Sequence, residues 1–207
     1  MISKPLEDHP ERNVIRLELR HNRTLEGLSD SERQALERQL VIVDCAKGDH
    51  LLHQGVHEME QYFVLGGVLK RVVTNAEAKE MILRFADVNE METSYAAWRL
   101  NSPTPYSIVC LTKARVARLP MPAWVQFLDQ HPKLKVSFEY EVMQLMSEVM
   151  AHTITLHLLD APGRVRRFMR KHPALYEQLP QKELAAYLNL TTETMSRLKR
   201  HGKISSL

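Results

Sequence analysis

The chain has 207 residues, of which 44% are hydrophobic and 26% charged, and a formal net charge of +3. That profile fits one large or two small soluble domains, with no run of 18 apolar residues to cross a membrane and no apolar core of a secretory signal in the first 25 residues. Two cysteines, Cys45 and Cys110, are too few for a disulfide scaffold or a four-thiolate iron–sulfur cluster, so a reducing, cytoplasmic setting is expected.

Residues 1–27 are polar, with a short helix or strand expected around Val14 to Leu19. Ser29 and Glu32 form a capping-box pair that opens a helix whose buried side carries Leu36 and Leu40. From Val41 to Pro120 short apolar runs alternate with turn signals: VIVDCAKGDHLL, QYFVLGGVLKRVV, EMILRFA, YSIVCL and ARVARL. Gly48-Asp49, Gly55, Gly66-Gly67 and Asn75 punctuate them, and strands at this spacing predict a barrel or jelly-roll sandwich. Between Ala86 and Pro105 the alternation is poor, and EMETSYAAWRL reads as one or two helical turns.

Pro122 opens a helix carrying Trp124, Phe127 and Leu128, and Pro132 opens a longer one. On the longer helix Phe138, Val142, Leu145, Val149, His152, Leu156 and Leu159 step by four and three, a seam of a and d positions. A second apolar stripe runs through Met143, Met146, Met150 and Ile154. The strict seam is expected to pair with its copy in a parallel homodimer, with the methionine stripe lying on the barrel. His152 is either a tolerated polar residue or one that sets register. Ala161-Pro162-Gly163 then breaks the helix and forms a hinge.

The last segment is basic. From Gly163 onward ten Lys/Arg stand against three Asp/Glu, whereas residues 1–162 hold 18 basic and 22 acidic side chains. Such a block on a mildly acidic body is the electrostatic footprint of a nucleic-acid-binding unit. Arg164 to Lys171 predict a basic helix that packs through Val165 and Met169. In PQKELAAYLNLTTETMSRLKRHGK, Leu184, Ala185 and Leu188 give a first helix one apolar face. Asn189 supplies a sharp turn, and Thr191 or Thr192 caps a second helix. There Met195 and Leu198 point inward, while Glu193, Ser196, Arg197 and Arg200 share the outward face, as a helix that reads the major groove requires.

The order of helix, short-strand barrel, seam helix, hinge and helix–turn–helix resembles the Crp/Fnr family of bacterial transcription regulators over roughly residues 25–203. KGDHLLHQG and YFVLGGVLKR resemble the opening of its cyclic-nucleotide-binding-type β-roll, and LPQKELAAYLNLTTETMSRLKR resembles its DNA-reading motif, in the short form without the full wing. The resemblance implies an α+β chain: a β-roll sensor with flanking helices (residues 1–130), a dimerisation helix (131–160) and a helix–turn–helix domain (161–207). It implies a homodimer reading an inverted repeat of TTGA-like half-sites, with RNA polymerase as a further partner and no membrane. The family's Glu-x-x-Ser-Arg pattern falls on Glu193, Ser196 and Arg197 as base-reading residues. Lys182, Thr192, Lys199, Arg200, Arg164 and Arg170 become phosphate contacts. The family's cyclic AMP cassette, a Gly-Glu pair followed by an Arg, is absent: no glycine lies between Gly67 and Gly163, and the Arg position falls on Thr104 or Pro105. Cyclic AMP is therefore not expected and no cofactor is predicted, although haem ligation through one of the ten histidines stays open. The effector is sought between Asn89 and Pro105 and along the methionine-lined helix.

Two rival readings remain. His50, His53, His57 and Glu60, followed by Gly66-Gly67, loosely resemble the cupins, a class of metal-dependent barrel enzymes. There is no His-x-His pair, and strand alternation would point His50 and His53 to opposite faces. No catalytic elbow or P-loop is present, so no enzyme is expected. Alternatively, the C-terminal helices dock another protein beside a ligand-sensing barrel that does not bind DNA.

Overall fold

The computed structural model describes residues 1–200. Among the described residues nine strands form two antiparallel sheets. They are β1 (Ile2–Pro5), β2 (Val41–Cys45), β3 (His50–Leu52), β4 (Glu60–Gly66), β5 (Leu69–Thr74), β6 (Glu80–Ala86), β7 (Met91–Thr93), β8 (Ser107–Cys110) and β9 (Ala114–Pro120). The first sheet runs β1-β2-β9-β4-β7 and the second β3-β8-β5-β6, which is the expected sandwich. Side chains alternate across each sheet, and both faces of both sheets are covered. Val43, Tyr62, Val64 and Val116 meet Leu69, Ile108 and Cys110 between the sheets. Ile42, Phe63, Ala117 and Leu119 face outward into a helical layer. Val68, Val72, Ile82, Phe85 and Val109 face outward into the C-terminal helices. This double burial is why the strands read as apolar runs rather than alternating ones. Gly67 is the tightest turn: at φ +78° an added Cβ would lie 2.2 Å from the Lys113 carbonyl oxygen.

The helical layer comprises α1 (Arg12–Arg20), α2 (Asp30–Glu37) and α4 (Met121–Gln130), with short α3 (Tyr95–Arg99) beside β7. Ser29 and Glu32 make the predicted capping box at the start of α2. Pro122 sits in the first turn of α4, which begins one residue earlier than expected. The segment around Val14 is helical, and residues 2–5 add an unforeseen edge strand whose side chains are all exposed.

The long helix α5 (Pro132–Leu158) begins at Pro132, as predicted. Its two stripes are allocated the other way round from the expectation. Phe138 and Val142 enter the chain's own core, where the Phe138 ring meets Trp124 and Tyr95 edge-on at 5.2 and 5.1 Å. Leu145 is buried, Val149 and His152 lie against the C-terminal helices, Leu156 is half-buried and Leu159 is exposed. Met143, Met146, Met150 and Ile154 are instead 61, 54, 64 and 49% exposed. The aromatic side chains of α3 and α4 give Phe138 a partner inside the chain, and the regular spacing alone did not reveal them.

The helix break also moves. α5 ends at Leu158, and Asp160 caps α6 (Ala161–Lys171) by accepting the Gly163 N–H at 2.9 Å. Ala161-Pro162-Gly163 is therefore the first turn of α6, where proline is tolerated, and the break between the helices is Leu159–Asp160. Within α6, Val165 and Phe168 are buried, whereas Met169 is half-buried. Unforeseen α7 (Pro173–Gln178) precedes α8 (Gln181–Tyr187) and α9 (Thr192–Arg200). The end of the basic segment, with the question of a wing, lies outside the described residues.

Candidate nucleic-acid interface and ligand cavity

α8 and α9 meet around Asn189, which adopts φ 53° as the sequence predicts. The Leu190 N–H reaches the Ala185 carbonyl at 2.8 Å and the Asn189 N–H reaches Ala186 at 3.1 Å, closing α8 with a Schellman motif. Thr191 caps α9 by accepting the Thr194 N–H at 3.1 Å. Leu184, Ala185 and Leu188 bury one face of α8, and Met195 and Leu198 bury the back of α9. The front of α9 is thereby fixed outward. Glu193 and Arg197 are 78 and 57% exposed and pair across one turn at 4.0 Å, with Ser196 half-buried between them. Lys182, Thr192, Arg170 and Arg200 are exposed, as is Lys199, whose ammonium lies 5.3 Å from the Tyr176 ring centre.

Arg164 is also engaged within the chain. Its Nε donates to the Leu159 carbonyl at 2.9 Å and its Nη1 to Leu188 at 3.2 Å, so it braces the break between α5 and α6 against the end of α8. This helical unit also rests on the β-roll. Phe85 of β6 packs on Tyr187 at 5.0 Å, and Lys70 of β5 donates to Glu183 of α8 at 2.9 Å.

A cavity of about 630 Å³ opens between β-roll, α3 and α5, bounded by Ala96, Ala97, Pro103, Tyr106, Val142 and Leu145. This is where the sequence reading sought an effector. Arg71 also lines it, and its guanidinium is held by Glu92, which is fully buried and receives Arg84 as well. Burial alone would raise the Glu92 pKa. Arg71 and Arg84 outweigh that and hold it below the ordinary carboxylate value. Glu92 already occupies Arg71, and Thr104 and Pro105 carry no charge, so among the described residues that line the cavity no side-chain cation is uncommitted.

The histidine cluster behaves differently from its expectation. The rings of His50 and His53 stack 4.6 Å apart, because β3 ends at Leu52 and strand alternation no longer governs His53. Among the described residues no group of three or more His, Cys, Asp or Glu side chains is placed to hold a metal.

Residues 42–131 match the family model for the cyclic nucleotide-binding domain. That segment is therefore similar to a cyclic nucleotide-binding domain. No curated protein matches the sequence, but solved structures share its fold. The c-di-GMP responsive global regulator CLP of Xanthomonas campestris superposes with a TM-score of 0.69 at 13% identity, over 84% of this chain and 91% of that one. A protein described as a transcriptional regulator of the crp/fnr family from Eubacterium rectale gives 0.68 at 14%, over 90 and 89%. FixK2 from Bradyrhizobium japonicum gives 0.67 at 14%, over 78 and 83%. CLP is described as a global regulator and the Eubacterium rectale protein as a crp/fnr-family transcriptional regulator, and at such identities the likeness is one of fold. No described helix is long and apolar enough to cross a membrane.

Proposed function

We propose that this chain is a transcription regulator that binds duplex DNA as a homodimer and answers to an effector held by its cyclic nucleotide-binding domain. The observation that carries the reading is the front of α9: Glu193, Ser196 and Arg197 face outward on a helix whose back, Met195 and Leu198, is buried. In this reading α8 and α9 are a helix–turn–helix. Arg197 bonds a guanine edge, Glu193 accepts from a cytosine amino group, and Ser196 contacts base or phosphate. Lys182, Thr192, Lys199, Arg200 and Arg170 hold the backbone and set register. The half-site is TTGA-like and inverted, and RNA polymerase is a partner at the promoter. The surface through which two copies pair is the exposed stripe of Met143, Met150 and Ile154, with Tyr140 beside it.

The test compares affinity for a duplex carrying the inverted repeat with affinity for a random duplex. Arg197→Ala is expected to lose about 1–3 kcal/mol on the specific duplex alone, whereas Arg170→Ala weakens both duplexes alike. Equal losses by Arg197→Ala on both duplexes would overturn the base-reading assignment. An absence of salt-dependent duplex binding would return the protein-docking reading.

A further inference from the structure

The cavity beside α5 has a chemistry of its own. At about 630 Å³ it lies within the range of sites that enclose a small organic ligand. Recognition of an anion would need an uncommitted cation or a row of free N–H groups. Here Arg71 is the charged lining side chain, and it is already engaged on several sides. Its Nε donates to Glu92 at 3.0 Å and its Nη2 to Glu92 and to the Thr93 carbonyl, the latter at 3.2 Å. Its guanidinium lies 4.1 Å from the Tyr106 ring centre. Arg84 joins Glu92 to Glu90, so two guanidinium groups face two carboxylates. Turning Arg71 toward a phosphate would leave Glu92, which has no solvent exposure, with Arg84 alone.

The neutral polar side chains of the wall are engaged as well. Thr104 donates to the His53 carbonyl at 2.8 Å, Tyr106 to Thr93 at 2.8 Å and Ser102 to Ala97 at 3.3 Å. Gln54 is bonded at both ends of its amide to the Thr74 backbone. The Thr93 hydroxyl accepts the Tyr95 N–H at 3.2 Å, which leaves its proton for at most one acceptor on a ligand. The remaining wall is apolar, with Ala96, Ala97 and the α5 side chains Val142, Leu145 and Met146. Methionine there adapts to the shape of what it covers.

We infer that this cavity takes an uncharged, largely apolar small molecule bearing at most one hydrogen-bonding oxygen, and rejects cyclic phosphates and other anions. The inference rests on the reading of this cavity as the effector site, and it assigns the class of effector. Because α5 forms one wall and also bears the pairing stripe, a ligand of that class would press on the element that joins two copies.

The full-length protein is titrated with Nile red, a neutral fluorophore, and the bound dye is challenged with decanol, decanoate and cyclic AMP at neutral pH. Decanol is expected to displace the dye, decanoate to do so at least about tenfold less well, and cyclic AMP not at all, since the wall offers a charge no uncommitted side chain. Ala96→Trp fills the cavity from α3 and should weaken the dye at least about tenfold. Ser102→Phe fills it from the loop and serves if the first variant melts early. Displacement by cyclic AMP, decanoate as effective as decanol, or dye binding unchanged in both filled variants overturns the inference. DNA affinity with and without decanol is read separately. If it does not change although decanol occupies the cavity, the effector reading fails and the ligand class stands. If cyclic AMP displaces the dye and shifts DNA affinity, the ligand class fails and the effector reading stands.

Discussion

The imidazole of His152 lies flat against the Tyr187 ring, 3.8 Å between centres and 2° from parallel, and its Nε2 donates to the Tyr187 carbonyl at 3.1 Å. Burial pushes its pKa down to about 4, partly offset by that hydrogen bond, with Lys171, Arg167 and His172 adding to the depression. Between the ordinary value of 6.5 and about 4, the unfolded chain takes up a proton that the folded chain refuses. The contribution of His152 to stability is therefore complete above pH 6.5 and lost as the pH falls toward 4. His152→Gln keeps a donor for the carbonyl and removes the titration, so urea melts should show a shallower decline of stability across that window. An unchanged decline would assign the pH dependence elsewhere, with His172, which burial also lowers, as the next group to replace. The seam spacing placed His152 on the same stripe as Phe138 but could not name Tyr187, 35 residues away, as its partner. Arg71 and Glu92 were unreadable for the same reason: each is an ordinary charged residue until the two sheets bring them together. Ser29, Glu32 and Asn189 were legible because a capping box and a left-handed turn are satisfied by neighbours in sequence.

Among the elements, the turn between α8 and α9 sets the angle at which α9 is presented. Asn189 at φ 53° occupies a conformation that costs an ordinary L-residue about 1–2 kcal/mol and a glycine nothing. Asn189→Gly should leave stability and DNA affinity near those of the parent. Asn189→Val should lose stability of that order by calorimetry and weaken DNA binding through misplacement of the helix. Equal behaviour of the two variants would mean that the turn does not control presentation. Strands β2 to β6, β8 and β9 could be read from apolar runs and glycine punctuation because most of their residues are at least partly buried, whereas β7 lies at the start of EMETSYAAWRL, which read as helical turns and holds a strand before α3. β1 has no buried residue, and α7 none either, so neither left a pattern to find. α5 carried two apolar stripes, and regularity pointed to the wrong one as the free face. Regular spacing records that a stripe is buried, whereas the identity of the burying surface is set by Trp124 and Tyr95 on other helices.

Across the whole molecule, helices, first sheet, second sheet and C-terminal helices stack in turn, and one apolar cluster joins the second sheet to the helices that carry α9. The order of these units was visible in the sequence, because composition and charge change at each boundary. Their contact through Phe85, Tyr187, Lys70 and Glu183 was not, since it links residues about a hundred positions apart. Pairing of two copies is tested at this scale. The chain is expected to sediment at twice its mass of 24.0 kDa, and Met150→Glu to reduce it to the single-chain value. Sedimentation of parent and variant alike as single chains would refute the pairing stripe. Two of the exposed side chains on that stripe are thioethers, Met143 and Met150, which mild peroxide converts to polar sulfoxides. A paired molecule shelters them and a lone one offers them. If two copies pair as proposed, the rate at which these methionines oxidise would be a chemical record of how long each copy has been apart. Once oxidised, the stripe has lost the apolar character that would bring the copies back together.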